Sequence, residues 1–82
     1  MNEDDRQEKV ALLAECKAMS EKAYDDMYEA RSARAALDRY REAKDCLYAA
    51  IAHARDLGLS VEADALSNRL AHIKAVVRGQ FV

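Results

Sequence analysis

The side chains of this 82-residue chain best suited to chemistry are its two thiols, Cys16 and Cys46, and its two imidazoles, His53 and His72. Thiols and imidazoles can combine as a disulfide, as ligands to a soft metal, or as a nucleophile activated by a neighbouring base. No His-x-x-x-His, Cys-x-x-Cys or Glu-x-x-His spacing occurs, so no single helix turn presents a ready-made metal site. The groups meet only if the chain doubles back twice. With turns centred near residues 31 and 59, antiparallel pairing brings Cys16 level with Cys46, and Cys46 level with His72. The simpler account has Cys16 on a core stripe, with Cys46 and His53 flanking an alanine stripe. His72 then flanks the core stripe of a later helix, where thiols pack as small apolar groups and imidazoles reach towards water. Only two glycines occur, Gly58 and Gly79, and neither lies in a loop that could cradle phosphate, which removes the dinucleotide and P-loop fingerprints. The expectation is no catalytic residue, no metal ligand and no cofactor.

Tyrosine offers a different chemistry, that of recognition. Tyr24 and Tyr28 stand one helical turn apart and Tyr48 lies further on. An apolar ring with a hydroxyl that tolerates water makes tyrosine a frequent interface anchor.

These residues are positioned by helices. Alanine-rich composition, 34% charged residues, 6% aromatics and no proline exclude an ordinary sheet protein. The stretch Ala33 to Leu57 carries two overlapping stripes. One runs through Leu37, Tyr40, Lys44, Leu47, Ile51 and Ala54; the other through Ala36, Ala43, Leu47, Ala50, Ala54 and Leu57. Spacings of three and four place each set on one side of a helix, and the joint arc is wide enough to touch two neighbours. Upstream, Asn2 caps a first helix with Glu3, Asp4 and Asp5 in its first turn, and Leu12, Cys16, Met19, Ala23, Met27 and Ala30 form its apolar stripe. Its end is not marked by Gly or Pro, so a break is placed between Ser32 and Arg39, with Ser32 or Asp38 as the next cap. A single continuous rod is the alternative, and it would need self-association to bury itself. Leu57-Gly58-Leu59-Ser60 reads as a glycine stop followed by a serine cap, with Glu62 in the next first turn. Val61, Leu66, Leu70, Ile73 and Val77 give the third apolar face, Arg78-Gly79 its end, and Phe81 folds back or stays available. The expected fold is all-α, a single domain forming a three-helix antiparallel up-down-up bundle with helices over about 4–31, 33–57 and 61–78.

A net charge of −2 and a pI near 5.6 argue against nucleic acid as a partner. Residues 1–29 carry nine acids against four bases, and residues 30–56 six bases against four acids. An acidic helix beside a basic one accounts for this, with Arg34, Asp38, Arg41 and Asp45 spaced as a ladder of i, i+3 and i, i+4 pairs. The alternative is a basic strip for an acidic partner. No segment is apolar enough to span a bilayer, and the acidic start is unlike a targeting signal, so a cytoplasmic chain with reduced thiols and no membrane partner is expected.

From Tyr40-Arg-Glu-Ala43 onward the chain resembles a tetratricopeptide helical hairpin. Leu47 and Ala50 fit that family's second helix, Gly58 its turn, and Leu66-Ser-Asn-Arg-Leu70-Ala71 the first helix of a following repeat. Arg78-Gly79-Gln80-Phe81 is similar to the turn within a repeat. The departures are Lys74 at a usually aromatic position, Gly79 one residue late, and no closing proline. The resemblance implies that Asn68, Arg69 and His72 line a peptide-binding groove. Partial similarity to a three-helix trafficking module with Tyr-x-x-Ala, and to small type III secretion co-chaperones, implies a protein partner as well. The function expected is therefore a non-enzymatic protein interaction module, adaptor or small chaperone, using Tyr24, Tyr28, Tyr48, Asn68, Arg69 and His72. The alternatives are a structural homodimer joined along the first helix and, third, a small thiol-dependent enzyme using Cys46 and His72.

Overall fold

A computed structural model of the chain describes residues 2–80. Three helices follow one another: α1 (Glu3–Glu29), α2 (Ala33–Asp56) and α3 (Ser60–Gln80). They form the expected antiparallel bundle with α2 in the middle. α2 packs on both neighbours while α1 and α3 barely approach each other. The expectation for Phe81 falls outside the described residues.

Each boundary has a local cause. Asn2 accepts a hydrogen bond from the Asp5 amide at 2.9 Å, and the three acids behind it face the positive end of the helix dipole. α1 stops at Glu29, ahead of the expected window, because Ala30 turns extended (φ −65°, ψ 139°). Ser32, also extended, then caps α2 by accepting from the Ala35 amide at 3.1 Å. Asp38 lies inside α2 and caps nothing. At the other turn Gly58 adopts φ +73°. Its amide donates to the Arg55 carbonyl and that of Leu59 to the Ala54 carbonyl, the paired bonds of a Schellman terminus. α3 begins one residue earlier than a Ser60 cap requires: Leu59 supplies the first accepting carbonyl, to Ala63, and Ser60 is already helical. Gly79 keeps helical backbone, so α3 runs on to Gln80 where a stop was expected.

The double stripe of α2 is buried as the sequence indicates. Ala43, Ala50 and Ala54 are wholly inaccessible, Leu47 nearly so, and Leu37, Tyr40 and Lys44 sit at the margins. Leu13, Leu47, Ile51, Leu66, Leu70 and Ile73 make the main core, and Met27, Ala36 and Val77 a second cluster at the end holding the α1–α2 turn. Three residues read as core are outside it. Leu12 and Met19 remain 37% and 44% exposed, because α1 is rotated to bury Leu13, Ser20, Ala23 and Met27. Small Ser20 admits close approach of α2 where Met19 would hold the backbones apart, and its hydroxyl is satisfied by the Lys17 carbonyl at 2.8 Å. Val61 is 82% exposed in the first turn of α3; Ala63 takes the inward place.

Candidate interaction surface

Although α1 and α3 stay apart as backbones, long side chains bridge them. Lys17, Glu21, Tyr24 and Tyr28 recur at four, three and four residues, one stripe of α1 facing α3. The Lys17 ammonium pairs with Glu62. Arg69 Nε and Nη2 donate to the two carboxylate oxygens of Glu21 at 2.9 and 2.8 Å, a two-pronged pair. The same guanidinium lies 4.8 Å from the Tyr24 ring centroid. Tyr24 and Tyr28 meet edge to face, with centroids 5.3 Å apart and planes at 87°, and their hydroxyls are 3.0 Å from each other. That hydroxyl contact, with burial second, raises the Tyr24 phenol above its ordinary value, and the Glu21 hydrogen bonds raise Arg69 further.

Six residues were expected at a binding surface, and the fold distributes them over three places. Tyr24, Tyr28 and Arg69 form the cluster just described. Tyr48 is on the other flank of α2, where Lys74 of α3 donates to its hydroxyl at 2.6 Å and holds its ammonium 5.0 Å from the ring centroid. Lys74 thus covers an aromatic from the position where the resemblance expects one. Asn68 and His72 are exposed, on the side of α3 turned away from Leu66, Leu70 and Ile73. Glu21, Lys17 and Glu62 were not anticipated: their partners lie more than forty residues away in sequence, and no local pattern marks them.

Tyr28, half exposed, also borders an open depression of about 330 Å³ at the α1–α2 turn, lined besides by Met27, Ala30, Arg31, Ser32 and Ala36. The mixture is an apolar floor with a cation at the rim. The first turn of α2 contains no acid, so its dipole end is not neutralised from within the helix. The α2 charge ladder does not close; the ion pair there is Arg39 with Glu42 at 2.8 Å.

The thiols and imidazoles do not assemble into one site. Tyr48 marks the flank of α2 that meets α3, and Cys46 lies on the opposite flank, towards α1, so His72 is not brought to it. Among the described residues no group of three His, Cys, Asp or Glu side chains gathers as metal ligands. Cys16 and Cys46 are free and half-buried. Burial, and next the nearby Cys16, push the Cys46 thiol above its ordinary value. His53 Nδ1 is buried without a partner. No helix among the described residues is long and apolar enough to cross a membrane. No family model, curated protein or solved structure matches the chain.

Proposed function

We propose that this chain is a non-enzymatic protein interaction module that docks a partner segment at the α1–α2 turn. The observation that carries the reading is Tyr28: a half-exposed ring, held edge-on by Tyr24, at the rim of an apolar depression whose mouth carries Arg31 and an uncompensated helix N-terminus. Charge complementarity selects the occupant, a partner segment with an apolar side chain for the depression and a carboxylate beside it for Arg31. The turn at Ala30–Ser32 supports a compact module over a rod, since α1 folds back on α2 instead of continuing. Cys46 lies on the flank of α2 away from α3 and His72, which weighs against a thiol activated by that imidazole. The groove residues that the tetratricopeptide resemblance implies are divided, with Arg69 engaged by Glu21 and Asn68 and His72 facing away. Cytoplasm, where thiols stay reduced, suits this use.

One observation favours the homodimer as a second reading: Val10, Leu12 and Met19 are large, apolar and exposed along α1. Light scattering over a wide concentration range separates the two, a monomer throughout supporting the module. The docking surface itself is tested by selecting peptides from a random displayed library and mapping the winners by amide chemical-shift changes. Winners pairing an apolar anchor with an acid are expected, with shifts at residues 27–36 and affinity falling about tenfold or more in Tyr28→Ala. Winners insensitive to Tyr28→Ala and Arg31→Glu would overturn it.

A further inference from the structure

The geometry points to Cys16 and Cys46 as a dithiol that closes into an intramolecular disulfide, clamping α1 to α2. Met19 and Glu42 line one cavity between these helices, together with Ala23, Asp26 and Arg39. Cys16 is one turn back along α1 from Met19, and Cys46 is one turn on along α2 from Glu42. Because the helices are antiparallel, both steps lead to the same level on the same flank. The turn between the helices sets the register: thirteen residues back from Glu29, the last of α1, is Cys16, and thirteen on from Ala33, the first of α2, is Cys46. The interface here is made of small residues, Ser20 and Ala23 on α1 and Ala43 and Ala50 on α2, all buried. Small residues allow the near approach of helix backbones that a disulfide demands. Neither thiol is sealed in, so an oxidant can reach the pair.

The co-reactant is a low-molecular-weight disulfide. One protein thiolate attacks a sulfur of that disulfide, forming a mixed disulfide and expelling one small thiolate. The second protein thiol loses its proton and attacks the protein-side sulfur, expelling the second small thiolate. Two protein thiols are oxidised, the small disulfide is reduced to two thiols, and the protons released are taken up by the leaving thiolates or the solvent.

The experiment treats the full chain with oxidised glutathione, followed by mass measurement and tryptic mapping without reductant. The expected result is loss of two hydrogens and a linked pair of peptides spanning 10–17 and 45–55, formed at dilutions where no dimer exists, reversed by dithiothreitol, and accompanied by a raised thermal midpoint. Cys16→Ser and Cys46→Ser, each confirmed helical by circular dichroism, are expected to stop at one glutathione adduct. Stable double adducts on the native chain, or only linkages between chains, would overturn the assignment.

Discussion

Among the described residues Arg69 is the side chain that ties α3 to α1 by two different physical contacts, and replacing it measures what that tie contributes. The pair with Glu21 is partly open to water, with side chains 34% and 50% exposed. Solvent screening therefore limits it to about 0.5–1 kcal/mol, the two-pronged geometry placing it towards the top of that range. Stacking over Tyr24 at 4.8 Å adds about 0.5–1 kcal/mol. Arg69→Ala should therefore cost about 1–2 kcal/mol, which in a domain of this size lowers the midpoint of thermal unfolding by about 5–15 °C. Double-mutant cycles with Glu21→Gln and Tyr24→Leu, followed by circular dichroism in urea, separate the contributions. The coupling to Glu21 should shrink in molar salt, and that to Tyr24 should persist. Arg69→Lys keeps the charge but loses the fork, and should recover less than half of the loss. Couplings to both partners below about 0.3 kcal/mol, within the error of additivity, would refute the reasoning.

The two glycines should respond in opposite directions. Neither has a neighbour that an added Cβ would meet, so only backbone conformation matters. Gly58→Ala at φ +73° should cost about 1–2 kcal/mol, and Gly79→Ala in helical backbone should gain up to about 0.5–1 kcal/mol; urea midpoints of the two variants check both. Ser32→Ala, losing the bond from the Ala35 amide, should cost about 1 kcal/mol, and hydrogen exchange should show the loss concentrated in the first turn of α2. The Asp56 carboxyl is held below the ordinary carboxylate range chiefly by its hydrogen bond from Lys9. Its contribution is therefore present above the unfolded value and lost as pH falls through the folded one. An NMR titration of Asp56 should move to higher pH in Lys9→Met.

Much of the architecture was legible because it is written at helical spacing. The two stripes of α2 indicated a central helix with two neighbours, and Gly58 followed by hydrophobic Leu59 indicated a left-handed helix stop, although Ser60, read as the next cap, is already helical. Ser32 was legible only as one of two candidate caps beside Asp38, and the end of α1 was not legible, since Ala30 terminates it by backbone geometry alone and carries no distinguishing side chain. Hydrophobicity misdirected three assignments, Leu12, Met19 and Val61. Met19 outranks Ser20 as a core residue on any transfer scale, yet the seam needs a small group; Val61 looks apolar but falls on the outer side of its helix. The candidate surface was only half legible. Tyr24 and Tyr28 were found by their one-turn spacing, while the partners that hold them in place, Arg69 and Glu21, are 48 residues apart and become neighbours only through the third helix. The count of levels put His72 beside Cys46, but it ignores which flank of α2 a residue occupies, and Cys46 lies on the flank away from Tyr48 and α3.

The packing of α2 against both neighbours, with α1 and α3 joined chiefly by side chains, has a kinetic side. Nearly every backbone approach links elements adjacent in the chain, so each hairpin can form on a short loop before the bridge between the outer helices is required. Such local topology places refolding in the microsecond to millisecond range. The sequence contains no proline, which removes the isomerisation that delays many small domains by tens of seconds. Stopped-flow refolding should thus be complete within its dead time or shortly after, and a slow phase, if oxidant is present, would report the thiols rather than the fold.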